Sequence, residues 1–170
     1  SSANIDYTTV ASVGTVGDAG DLDTAAYYGA GDGASNGVTC LFLGGLGASG
    51  AIANIEEMTM ASTGASDNGG EIRSAAFYGA ASNGDSKSII LDDTPSTGKT
   101  ELSAHNFVSG ADATDSGNVL TVGVGVTPGC CANATIVVFA GGQLSGGTAT
   151  DTIQWVPVDS SADSENVGDL

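Results

Sequence analysis

Apolar and polar positions recur along this chain in a single frame that is met four times without a gap, at 5–22, 55–72, 102–119 and 153–170. The starts, Ile5, Ile55, Leu102 and Ile153, lie 50, 47 and 51 residues apart, the period of one supersecondary unit copied in tandem. Each frame opens on a strand-like stretch (4–12, 54–62, 101–109 and 152–160). Its sixth position is Val10, Met60, Phe107 or Val158 and its fourth is Thr8, Met58, His105 or Val156, whereas its second is always polar (Asp6, Glu56, Ser103, Gln154). Side chains alternate faces in a strand, so positions 4 and 6 are expected in one core and position 2 at a wet end.

An Asx residue followed two places later by glycine comes next: Asp18 and Gly20, Asn68 and Gly70, Asp115 and Gly117, Asn166 and Gly168. This pairing predicts a turn, because Asx side chains bond nearby backbone and glycine accepts positive φ. Leu22, Ile72, Val119 and Leu170 then stand two residues beyond the glycine as apolar anchors. The first three frames continue into a second strand (24–29, 74–79, 121–126), a small-residue loop and a third strand (38–43, 88–91, 136–140). Double glycines close that strand at 44–45 and 141–142, with Asp92 and Asp93 in their place in the second copy. The chain therefore reads as one all-β domain, 1–170, in units of about 4–53, 54–100, 101–150 and a partial 151–170, with hairpins as the natural connection.

Composition narrows the function classes. Of 170 residues 27 are glycine, and 20 Asp and Glu face three Lys and Arg for a net charge of −17. Such a surface repels phosphate backbones, which excludes nucleic-acid binding by counterion release, and repels anionic lipid. The apolar runs are short, so no membrane insertion is expected, and the N-terminal residues lack the basic and apolar regions of a signal peptide.

The wording of the repeat resembles kelch-type repeats, the units of β-propeller blades. The residues that carry the likeness are Ile5, Asp6 and Tyr7 in the opening strand, the turn at 18–22, and the strand of Val138, Phe139 and Ala140 ending in Gly141 and Gly142. They are similar to a degenerate kelch-like repeat of structural and tail-fibre-like proteins of marine phages. The arginine and tryptophan of cellular kelch blades are absent from the corresponding positions, and Trp155 sits elsewhere. The resemblance implies tandem antiparallel sheets forming a partial propeller or a propeller-like array. Three units and one strand do not close a ring unaided, since a propeller has at least about four blades. Membership of a longer ring, association of chains or another all-β stack, a β-sandwich among them, stay open.

Motifs for chemistry are few. Residues 93–100 approach a P-loop, but Asp93 stands where its first glycine belongs and a strand follows instead of a helix. Gly33, Ser35 and Gly37 match a nucleophile elbow lying between strands, and the single histidine, His105, shares a column with core-facing positions. Cys40, Cys130 and Cys131 lack zinc-site spacing; a disulfide from Cys40 to Cys130 or Cys131 is the alternative to three free thiols. The acidic pairs Asp18 with Asp21, Asp67 with Glu71, Asp112 with Asp115 and Asp163 with Asp169 are the candidate Ca²⁺ ligands. Asn133 begins a formal glycosylation sequon.

The expectation is a non-enzymatic structural protein of a virion surface, a capsid decoration or fibre component, partnered by its own copies or other virion proteins and contributing to host-surface attachment. The alternative is a secreted or surface lectin-like propeller that binds host-surface glycan through Tyr27, Tyr28, Phe77, Tyr78 or Trp155. An enzyme would have to work with carboxylates alone, as glycosidases do.

Overall fold

The repeating frame builds antiparallel strands, and among the described residues they are the only regular structure. The computed structural model describes residues 2–7, 16–26, 32–61, 64–73, 80–83, 86–92, 101–107, 110–118, 129–143 and 147–170. In chain order the strands are β1 (Ser2–Tyr7), β2 (Gly17–Ala26), β3 (Asp32–Ser35), β4 (Thr39–Leu43), β5 (Leu46–Gly47), β6 (Gly50–Ala51), β7 (Asn54–Thr59), β8 (Asp67–Glu71), β9 (Ala80–Asn83), β10 (Lys87–Asp92), β11 (Glu101–Asn106), β12 (Thr114–Asn118), β13 (Gly129–Ala132), β14 (Ile136–Ala140), β15 (Thr152–Pro157) and β16 (Glu165–Asp169). They form three four-stranded meanders, β3-β4-β7-β8, β9-β10-β11-β12 and β13-β14-β15-β16, beside the hairpins β1-β2 and β5-β6. The protein is thus all-β, in several small antiparallel sheets, none of which closes on itself.

The sheets run out of phase with the sequence frames. A frame's opening strand is the third strand of a meander, and the fourth strand carries the Asx-Gly pair. The first strands, β3, β9 and β13, are drawn from stretches (DGAS, AASN, GCCA) that the sequence reads as loop. Their small and polar residues lack the β-branched signature of a strand, and pairing with the apolar β4, β10 and β14 is what holds them extended. The expected second strands at 74–79 and 121–126 lie outside the described residues, as do 27–29.

The Asx-Gly pairs are not turns but bulges within the fourth strand. Register shifts at the same place in all four frames, between Ile5 and Asp6, Ile55 and Glu56, Leu102 and Ser103, and Ile153 and Gln154. One extra residue, Ala19, Gly69, Ser116 or Val167, is accommodated there. The predicted Asx chemistry is present: the amide of Gly20, Gly70, Gly117 or Gly168 donates to Oδ1 of the Asx two residues back at 2.8–2.9 Å. All four glycines have positive φ, between 101° and 146°, which a bulge glycine takes without the Cβ penalty.

Cores lie between successive sheets. Leu41, Leu43, Ile55 and Ile72 of the first meander pack with Ile90, Phe107 and Ala113 of the second. Ile89, Leu91 and Leu102 on the second meander's other face pack with Val137, Phe139, Val156 and Val158 of the third. Each such side chain taken from water contributes about 1.5–3 kcal/mol, so every sheet depends on its neighbour.

Backbone contacts reinforce these joints. The amides of Gly64 and Ser66 donate to the carbonyls of Ala19 and Asp21, and that of Ala113 donates to Glu71, each at 2.8 Å. These bonds hold the loop of one sheet against the bulged strand of the sheet before it. A Cβ on Gly20 would lie 1.6 Å from the Gly64 carbonyl oxygen, one on Gly70 2.7 Å from that of Ala111, and one on Gly117 2.6 Å from that of Ala162. The bulge glycine therefore serves the joint as well as the strand.

Two expectations about the frame need correction. Position 2 is wet at Asp6 but not at Glu56, Ser103 and Gln154, which are buried. Glu56 accepts from Ser66 Oγ and from the Asp23 amide, and Gln154 accepts from Ser164 Oγ. Position 6 is buried at Phe107 and Val158 but 54 % exposed at Met60, although all three donate their amide to the equivalent carbonyl, of Ser86, Thr135 and Val38 respectively. The backbone is equivalent and the cover is not: the Met60 sulfur meets Ser35 Oγ of its own sheet at 3.1 Å. Val10 lies outside the described residues.

Candidate functional site

The third meander carries apolar residues on both faces, and among the described residues only one of them meets another sheet. On the outward face Ile136 and Val138 of β14, Trp155 of β15 and Val167 of β16 line an open groove of about 310 Å³. Val138 and Trp155 are cross-strand partners, close enough to form one continuous surface. The pleat accounts for the arrangement: Val137 and Phe139 point back into the inter-sheet core, so Ile136 and Val138 point away from it.

Column by column, this face matches the faces buried inside the chain. Leu41 and Ile89 stand where Val138 stands, and both are buried while Val138 is half-exposed. The bulge residue is buried at Ala19, Gly69 and Ser116 but 56 % exposed at Val167. Ile72 is 4 % exposed and its counterpart Leu170 76 %. Gly168 repeats the positive φ of the joint glycines, yet a Cβ there would meet nothing within 4 Å among the described residues. The face thus has the make-up of a sheet-to-sheet joint, with no second side among the described residues.

The residues singled out for chemistry do not converge. Among the described residues no three or more His, Cys, Asp and Glu side chains form a group that could hold a metal ion. Of the Ca²⁺ candidates, Asp18 and Asp115 cap their bulge glycines, Asp112 accepts from the Glu71 amide at 3.1 Å, and Asp115 faces Arg73 at 3.4 Å. Asp67 and Glu71 are cross-strand partners of Glu57 and Asn54 on β7, and Asp21 is that of Asn4 on β1. Asp163 follows Ala162 in the loop that seats against Gly117 of the second meander, and Asp169 is the cross-strand partner of Thr152 on β15.

All three cysteines are free thiols, so the pairing of Cys40 with Cys130 or Cys131 is not realised. Cys40 lies on β4 of the first meander and donates to the Met58 carbonyl at 3.4 Å, while the other two lie on β13 of the third. Burial pushes the Cys40 thiol pKa up, against smaller opposing backbone hydrogen bonds from its own amide region and Met58. Ser35, the residue of the elbow-like motif, ends β3 and accepts from the Gly37 amide at 3.0 Å in a strand-turn-strand connection. His105 is turned to Glu57 on the neighbouring sheet. The P-loop-like segment and the aromatics Tyr27, Tyr28, Phe77 and Tyr78 lie outside the described residues. Among the described residues no helix is long and apolar enough to cross a membrane.

The groove was the part of the surface that motif reading missed, although its signal stands in the columns. Position 15 is Ala19, Gly69, Ser116 and Val167, and position 12 is Val16, Ser66, Ala113 and Ser164. Each column is small except at one end of the chain, where valine stands.

No protein-family model matches the chain, and no curated protein matches it.

Proposed function

We propose that this chain is a non-enzymatic structural repeat protein of a virion surface, a capsid decoration or fibre component built from kelch-like, propeller-type units. The observation that carries the reading is the recurring joint in which a bulge glycine, Gly20, Gly70 or Gly117, seats the loop of the following sheet. Repeated columns are spent on packing one sheet against the next, as a scaffold requires. The up-and-down order of each four-stranded sheet supports a blade-like unit. So do the contacts of β9 with both β3 and β13, which bring the first strands of the three meanders together. The charge of −17 suits a particle surface that must stay dispersed. Loops that vary on this scaffold are where host-surface attachment would reside.

Mass spectrometry and immunogold labelling of purified particles from the source of this sequence test the reading. The protein is expected at a fixed copy number per particle, on the outside. Its recovery in the free soluble fraction alone would overturn the proposal.

One observation favours a glycan-binding reading: half-exposed Trp155 has Glu165 as its cross-strand partner, an aromatic platform beside a carboxylate. Glycan-array binding that disappears in Trp155→Ala with the fold intact would support it, and silence on every glycan would remove it.

A further inference from the structure

We propose that the outward face of the third meander is an assembly surface that receives the β1-β2 sheet of a second copy of this chain, so that copies join head to tail. The inference rests on the repeat scaffold read above, and the virion setting plays no part in it. Its occupant follows from continuity with the joints inside the chain. In those joints the amide at position 12 of one frame docks on the carbonyl at position 17 of the frame before, Ser66 on Asp21 and Ala113 on Glu71. The side chain at position 12 then packs by the anchor at position 18, as Ala113 does in one cluster with Ile72. The β1-β2 sheet offers the same position 12, Val16, 65 % exposed, and the third meander offers the matching Asp169 carbonyl and Leu170, 76 % exposed.

The apolar character of the two faces points the same way. Inside the chain position 12 is Ser or Ala and position 15 is Ala, Gly or Ser, whereas the two free halves carry Val16 and Val167. Apolar surface is therefore added where burial requires a partner, and a contiguous exposed patch of this kind marks an interaction site. A contact between two different surfaces of one molecule is heterologous, so it propagates or closes a ring. Both halves are acidic, with Asp18 and Asp21 opposite Asp6 and Asn4 on one and Glu165 opposite Trp155 on the other. Association is expected to strengthen as salt shortens the Debye length from about 30 Å at 0.01 M to about 8 Å at 0.15 M.

Sedimentation velocity of the whole chain across concentration and salt tests the proposal. The wild type is expected to show mass rising with both, beyond that of a single chain. Val16→Asp and Val167→Asp, at exposed positions that leave the fold intact by circular dichroism, are each expected to be monomeric alone. Mixed one to one they are expected to form a dimer and nothing larger, since the first retains a good receiving face and the second a good β1-β2 end. A wild type that stays monomeric throughout would overturn the inference, as would a Val16→Asp chain that still dimerises through two like faces. Neither result touches the particle experiment, so the two failures are separable.

Discussion

His105 Nε2 on β11 lies 3.0 Å from Glu57 Oε1 on β7, a hydrogen bond that crosses from the second meander to the first. His105 is 1 % exposed, and among the described residues its Nδ1 has no hydrogen-bond partner. Removing the carboxylate leaves a buried imidazole with neither nitrogen satisfied, at a cost of about 1–3 kcal/mol. Glu57→Ala is therefore expected to lower the unfolding free energy by that amount in urea titration. His105→Val, which installs the residue type of its counterpart Val156, is expected to cost less, because it removes the buried polar group along with its bond. Equal losses in the two variants would count against the pair.

The joint glycines should separate by what stands over them. Gly70→Ala and Gly117→Ala meet both a positive φ and the backbone of the next sheet, whereas Gly168→Ala meets the φ alone. Backbone strain by itself costs about 1–3 kcal/mol. The first two variants are expected to lose clearly more than the third in a denaturant midpoint comparison. A Gly168→Ala loss as large as the others would mean that the close approach contributes nothing.

Glu56 is 5 % exposed and its Oε2 accepts from the Asp23 amide at 2.7 Å and from Ser66 Oγ. The bond ties the end of β2 to the meander behind it. Hydrogen bonds to a charged group contribute about 1.5–3 kcal/mol, and Glu56→Ala is expected to lose that much. Hydrogen exchange at the Asp23 amide should quicken in the variant while amides of β14 and β15 keep their protection. Uniform loss across the chain would show one cooperative unit in place of a local tether.

Cys40 and Cys131 should differ toward alkylating reagents. Burial raises the Cys40 pKa and shields its sulfur, whereas Cys131 is exposed. Iodoacetamide at neutral pH is expected to modify Cys131 first, with Cys40 following only at higher pH. The sign for stability is fixed by linkage: the folded state holds the Cys40 proton more tightly than the unfolded one. Its contribution is therefore whole below the ordinary thiol pKa and declines as pH rises through the raised one. A Cys40→Ser chain should lose part of that alkaline decline.

Much of this was legible in the residues. The four frames, their strand at position 1 and the Asx-glycine bond are all present, because local chemistry decides them. The bulge reads as a turn in the sequence because Asp18 with Gly20 has the same local bonding in either setting, and only the partner strand tells them apart. The strands β3, β9 and β13 were invisible because Ala, Ser and Gly have no preference of their own and are held by long-range pairing. Met60 was misplaced for a related reason: a column records what a position faces in most copies, not what it faces in each. The open groove could have been found from Val167 alone, by asking why one copy departs from a column of Ala19, Gly69 and Ser116.

Since half of every inter-sheet core comes from the module behind it and the bulge glycine fixes how the next one seats, a module can be duplicated or deleted whole with no new fit to invent. Length in such a lineage is free to drift in steps of about fifty residues, while changes inside a step are held tightly by the seams on either side.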